Sequence, residues 1–207
     1  MEEKRLFEAG IITLGDGQVG KSSIILRYTD DKFHSIYLST IGFDTKIKNI
    51  VLNNGEEIKV KLYDTAGQER FKSIAKTYLK KANGILLIYD ITRETSFNNV
   101  INWVKDINEG THTDIPVVLI GNKSDLEDER TVKKEDGEKL AKQFGYENHF
   151  YETSCLNGEK VKEAVNDLVE QIYKKYGNNS QNKSVQIKKP KNNKTETGCC
   201  SNGTKKK

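Results

Sequence analysis

At 207 residues, with 31% of them charged, a net charge of +4 and three cysteines, the chain has the size of one domain with room for a tail. Eight lysines against one glutamate from Gly177 onward give the tail +7 and leave −3 on the rest. A nearly neutral body excludes a general nucleic-acid binder and points to the tail as the contact with an acidic membrane surface. Cys155 stands alone and Cys199 and Cys200 are adjacent, which is neither a disulfide framework nor a C-x-x-C metal pattern.

His34, His112 and His149 are scattered, as structural or solvent-facing histidines are. The sequence shows no signal peptide and no apolar run of about 18 residues, so a cytoplasmic chain with no membrane span is expected.

Taken in order, Ile11, Ile12 and Leu14 predict a strand, and Ser22 to Tyr28 has the apolar spacing of a helix packed on a sheet. Between them Gly15-Asp16-Gly17-Gln18-Val19-Gly20-Lys21-Ser22 fits G-x-x-x-x-G-K-[ST], with Ser23 following in the helix. Glycines let backbone N–H groups approach phosphate oxygens, and the helix N-terminus adds a favourable dipole. Lys21 is then expected on the β- and γ-phosphates and the Ser22 hydroxyl on Mg²⁺. This motif names a nucleoside triphosphate without naming its base.

A polar connector from Asp30 to Thr40 carries Phe33 and Tyr37. Phe43 to Leu52 alternates as a half-buried strand does. Asn53-Asn54-Gly55 signals a hairpin, and Ile58, Val60 and Leu62 give the antiparallel return. Asp64-Thr65-Ala66-Gly67-Gln68 closes that strand. Beside a phosphate loop, Asp64 suits Mg²⁺, the Gly67 N–H suits the γ-phosphate, and Gln68 can orient a water. Without the phosphate loop these would read as ordinary strand-end and loop residues.

The remainder alternates between strand and helix. Gly84 to Tyr89 is a continuous apolar run, as in a parallel strand buried on both faces. Ser96 to Asn108 is predicted as one helix with Ser96 as N-cap. Ile115 to Ile120 is the next strand, with Pro116 near its start. Asn122-Lys123-Ser124-Asp125 follows it. A carboxylate there can accept from both N1–H and N2 of guanine, which adenine cannot match, while Lys123 lies along the base and Asn122 ties the loop to the phosphate loop.

Val132 to Phe144 is predicted helical, stopped by Gly145, and His149 to Thr153 is a short strand. Val161, Ala164, Val165, Leu168 and Ile172 stripe a last helix. From Gly177 the composition predicts disorder. The fold class is therefore α/β: a six-stranded, mostly parallel sheet with helices on both faces. Its ligand is expected at the carboxyl ends of the strands.

The ordered set Gly15 to Ser22, Thr40, Asp64 to Gln68 and Asn122 to Asp125 resembles the Ras superfamily of small GTPases. Thr40-Ile41-Gly42-Phe43-Asp44, Gln68-Glu69-Arg70-Phe71 and Leu87-Ile88-Tyr89-Asp90-Ile91-Thr92 are similar to the Rab branch, near its secretory members. The resemblance runs from about residue 6 to 176. It implies a P-loop NTPase of the Ras-like G-domain type over residues 1–176, followed by a hypervariable tail over 177–207.

It further implies GTP or GDP with Mg²⁺ held by Ser22, Thr40 and Asp64, and GTP hydrolysis served by Gln68, Lys21 and Thr40. Phe33 would lie against guanine and Tyr37 over the phosphates. Backbone N–H groups of Ser154, Cys155 and Leu156 would read the base. Loss of the γ-phosphate would release Thr40 and Gly67, changing the surface seen by effectors at switch I, the interswitch and switch II. An exchange factor, a GTPase-activating protein and a GDP-dissociation inhibitor are implied as partners. So is a monomer cycling between cytoplasm and the cytosolic face of intracellular membranes to regulate vesicle traffic.

The chain departs from the family pattern in places. Cys155 and Leu156 stand where alanine and lysine are usual, so faster nucleotide exchange is expected. Gln18 replaces a small residue, Thr45 a phenylalanine and Tyr63 a tryptophan, while Tyr78 keeps its aromatic place. Cys199-Cys200 looks like a geranylgeranylated pair, yet the chain runs on through Gly203-Thr204-Lys205-Lys206-Lys207. Two readings share the phosphate loop: a nucleotide-bound scaffold without hydrolysis, which Gln68 opposes, and an ATP-using kinase, which Asn122 to Asp125 oppose.

Overall fold

The computed structural model describes residues 6–34, 43–65, 79–111 and 114–177. Apolar runs and turn residues generate six strands: β1 (Phe7–Leu14), β2 (Phe43–Val51), β3 (Glu57–Thr65), β4 (Gly84–Asp90), β5 (Val117–Asn122) and β6 (Phe150–Thr153). They form one sheet in the order β2-β3-β1-β4-β5-β6, with β2 antiparallel to β3 and the other pairs parallel. The five described α-helices are α1 (Lys21–Asp30), α2 (Glu94–Asn98), α3 (Val100–Gly110), α4 (Lys134–Gln143) and α5 (Val161–Ile172).

Strand alternation sorts the core into two layers. Ile11, Leu86, Ile88, Val118 and Ile120 face Ile24, Ile25 and Tyr28 of α1 and Val165, Leu168 and Ile172 of α5. Ile12, Ile85, Leu87, Val117 and Leu119 face Val100, Val104 and Ile107 of α3 and Leu140 and Ala141 of α4. The sheet is thus covered on both faces, which is why β4 and β5 are buried along their whole length. Tyr28 brings a hydroxyl into this packing and satisfies it by donating to Asn166 Oδ1 at 2.9 Å.

The predicted helix from Ser96 to Asn108 is in fact two, α2 and α3, separated at Asn99. Ser96 is not an N-cap; it is buried, and its hydroxyl donates to the Arg93 carbonyl at 2.7 Å and accepts from the Asp90 N–H at 3.0 Å. A short hydroxyl so placed bonds its own turn rather than opening a helix. Pro116 lies just before β5, where its carbonyl accepts from the Ile85 N–H and no donor is missed. Val132 stays outside α4 because the Thr131 and Val132 N–H groups both donate to Ile91 O. Gly145, at φ +77°, sits just beyond the C-terminal end of α4.

His149 is structural, with Nδ1 2.8 Å from Asp167 Oδ2. Among the described residues, no helix is long and apolar enough to cross a membrane. Leu168 is wholly buried between α5 and the sheet. Leu168→Ala should cost about 2–5 kcal/mol of unfolding free energy, read from the urea midpoint at constant slope.

Candidate active site

The loops leaving β1, β4, β5 and β6 meet at one edge of the sheet, beyond the carboxyl ends of the parallel strands. The first, Gly15 to Gly20, turns sharply. Gly15 has φ +137°, and a Cβ there would stand 2.1 Å from Ile88 O. Gly20, at φ +100°, would place a Cβ 2.2 Å from Asn122 Nδ2. Both positions need glycine on two independent counts, conformation and space. Gln18 takes φ +66° and is exposed, so the long side chain at that place points into solvent.

Lys21 opens α1 and is 5% exposed. Its ammonium donates to the carbonyls of Gly15 at 2.9 Å and Asp16 at 2.6 Å, closing the loop around itself. Burial pushes its pKa down to about 8, against the upward pull of Asp64 and Asp16, with Arg93 adding to the depression. Ser22 donates to Asp64 Oδ2 at 2.5 Å, bringing a hydroxyl and a carboxylate together at the start of α1 and the end of β3. Ser23 is half-buried in the first turn of α1.

The second loop begins at Asn122, whose buried amide donates to Val19 O at 2.9 Å. Its Oδ1 accepts from Thr153 Oγ1 at 3.0 Å and lies 3.5 Å from Cys155 Sγ. Lys123, at φ +73°, directs Nζ to within 2.5 Å of Asp90 Oδ2. Asp90 is itself buried, with Oδ1 accepting from the Thr92 N–H and hydroxyl. Asp125 is exposed and accepts from Ser154 Oγ at 2.5 Å, which joins the loops after β5 and β6.

Ser154 organises the third loop. Its hydroxyl oxygen accepts from the Leu156 N–H at 3.2 Å, and its own N–H donates to Glu159 O at 3.1 Å. Leu156 is 55% exposed, whereas Cys155 is buried and its thiol is pushed up to about 12 by that burial. Phe33 is exposed at the last described stretch before residue 35. Thr45 and Tyr63 stand opposite each other on β2 and β3. Tyr37, Thr40, Gly67, Gln68, Tyr78, Cys199 and Cys200 lie outside the described residues.

The Ras family model matches residues 10–174. Ras-related protein Rab-13 of Mesocricetus auratus is 41% identical over 198 residues, covering 93% of this chain and 95% of that relative. Ras-related protein Rab-10 of Caenorhabditis elegans is 40% identical over 193 residues, covering 92% and 94%. Human Ras-related protein Rab-8B is 44% identical over 165 residues, covering 80% and 78%. The chain belongs to the Rab branch of the Ras family. It is a Rab-like small GTPase of membrane traffic, and its family consists of GTP hydrolases that bind GTP and GDP, generally with Mg²⁺.

Sequence reasoning missed four side chains of this Rab's site. Arg27 of α1 donates to Cys155 O and to Leu156 O, each at 2.8 Å, gripping the third loop from below. Arg93 donates to Gly17 O at 2.6 Å. Asn99 and Trp103 donate to the two carboxylate oxygens of Asp16, at 2.8 and 2.9 Å. No short motif could mark contacts that span 76 to 129 residues. The buried, high-pKa thiol gives a direct check. In the native protein at pH 8, Cys155 should resist iodoacetamide over a period that modifies it fully in urea, read by peptide mass.

Proposed function

We propose that this Rab binds guanine nucleotide through Gly15 to Ser23, Asn122, Lys123, Asp125 and Cys155. It would hydrolyse GTP there, and its two nucleotide states would recruit different partners on a membrane. The observation that carries the reading is the joining of Asp125 to Ser154, with Asn122 tied to Val19. A carboxylate and a backbone-lined loop are thereby fixed beside the phosphate loop. Asp125 accepting from guanine N1–H and N2 makes two charged hydrogen bonds of about 1.5–3 kcal/mol each, which adenine cannot form. Of the three N–H groups expected to read the base, those of Ser154 and Leu156 are engaged with Glu159 O and Ser154 Oγ. That engagement supports Cys155 N–H as the one that would reach the base oxygen, beside those of Ser154 and Leu156.

Lys21 and the loop N–H groups would neutralise the β- and γ-phosphates. The adjoining oxygens of Ser22 and Asp64 are hard donors that suit Mg²⁺, and Thr40 would complete that set. Mg²⁺ supplies charge neutralisation on the phosphate oxygens when bound. Gln68 would orient the attacking water, Thr40 and Gly67 would hold the γ-phosphate, and Phe33 and Tyr37 would cover base and phosphates. Effectors would read switch I, the interswitch strands and switch II. An exchange factor, a GTPase-activating protein and a GDP-dissociation inhibitor would act on the cycle. Residues 177–207, with lipid on Cys199 and Cys200, would bring the chain from cytoplasm to membrane. Two lipid chains hold a membrane where one does so only marginally.

The purified chain should carry guanine nucleotide and release phosphate from GTP in a single turnover. Asp125→Asn should weaken guanine-nucleotide binding by at least about tenfold. Equal affinity of the parent for guanine and adenine nucleotides would sink the assignment.

Lys21 offers a second check through its proton. Burial lowers the ammonium pKa to about 8, and an anionic phosphate beside Nζ would raise it again. From about pH 8, GDP binding should therefore take up a proton, and affinity should fall as pH rises. Calorimetry at pH 8, below the range in which guanine N1–H itself titrates, in buffers of different ionisation enthalpy reads this directly. No proton uptake would remove Lys21 from phosphate contact.

A further inference from the structure

Asp16 is a difficulty for a phosphate loop. It places a carboxylate inside the segment that has to accept a polyanion, and a like charge nearby opposes binding. The structure deals with that charge in a specific way. Oδ1 accepts from the indole N–H of Trp103 at 2.9 Å, and Oδ2 accepts from the Asn99 amide at 2.8 Å. Both oxygens are thus held by neutral donors on the α3 side of the loop. The Asp16 carbonyl meanwhile accepts from Lys21, so the residue is fixed at its backbone as well as at its side chain.

The break between α2 and α3 makes this possible. Asn99 sits at the junction and Trp103 four residues later, so the two side chains share one helical face. That face is turned to the loop, and Arg93, which precedes α2, adds a third donor at Gly17 O. Trp103 also packs against the core layer formed by α3 and α4, which anchors its ring.

We propose that Asn99 and Trp103 are positioning residues for nucleotide retention. They act through the Asp16 carboxylate, turning its charge away from the phosphates and holding the loop in its cradle shape. The inference rests on the reading of this loop as a guanine-nucleotide site. It makes the junction of α2 and α3 a determinant of how long nucleotide stays bound, although neither residue touches the nucleotide. Removing the donors while keeping the carboxylate is the worst combination, because a freed Asp16 both loosens the loop and repels its ligand. Removing the carboxylate itself loses only the first of these.

The test is release of fluorescent GDP from the full chain with Mg²⁺, for the parent, N99A, W103F, D16A and the doubles D16A/N99A and D16A/W103F. The parent's bound nucleotide is quantified first. N99A and W103F should each speed release by about tenfold. D16A should fall between the parent and these two. In the D16A background neither substitution should add more than about twofold. High salt should shrink the N99A effect, since repulsion is screened.

Trp103 is the chain's one tryptophan, so its emission maximum should move in D16A with the fold intact by circular dichroism. If W103F disturbs the fold, the half-exposed Asn99 carries the test alone. Full acceleration by N99A in the D16A background, or none in the parent, would overturn the clamp while leaving the nucleotide site in place. A parent chain that holds no guanine nucleotide would overturn the site reading and the clamp with it.

Discussion

The amide of Asn122 is buried at the end of β5, where it donates to the carbonyl of Val19, accepts from Thr153 and lies against the Cys155 thiol. One side chain therefore fixes the relative position of the loops after β1, β5 and β6. A hydrogen-bonding group so completely enclosed costs more to disrupt than it contributes when intact, because any shift leaves several buried partners unsatisfied. The three loops are consequently one rigid unit. Gly20 has no Cβ because that is the space the Asn122 amide occupies.

The sheet supplies the other half of this arrangement. Parallel pairing of β3, β1, β4, β5 and β6 sends the carboxyl end of each strand to the same edge. Residues far apart in sequence, such as Ser22 with Asp64 or Ser154 with Asp125, are thus neighbours without long excursions of chain. Burial on both faces by α1 and α5 on one side and α3 and α4 on the other keeps that edge from shifting. The lysine at the start of α1 exploits the enclosure. Its charge is held in a place where water is scarce and carbonyls substitute for it.

Much of this was legible in the residues. Continuous apolar runs announced β4 and β5, and the stripe from Val161 to Ile172 announced α5, because both periods follow directly from which faces are buried. The turn at Gly15 to Gly20 was readable because its glycines stand where conformation and space both demand them, and the Asn122 to Asp125 segment because it closes a strand with a fixed run of polar residues. What stayed hidden depended on tertiary contact. Nothing local separates α2 from α3 at Asn99, and Ser96 carries the signature of a cap while serving as a buried bridge between Asp90 and Arg93. Arg27, Arg93 and Trp103 read as ordinary surface or core residues until the fold brings them to a carbonyl or a carboxylate.

The grip of Arg27 on the carbonyls of Cys155 and Leu156 bears on how this site can change over evolutionary time. A main-chain carbonyl is common to every amino acid, so a loop anchored through its carbonyls is indifferent to the side chains it displays. The exposed leucine at 156 is then released from the duty of holding the loop, while the thiol at 155 stays bound by its burial against Asn122. The constraint moves instead to position 27, on a different element and remote in sequence. Latitude at 156 and constraint at 27 are two consequences of the same anchor.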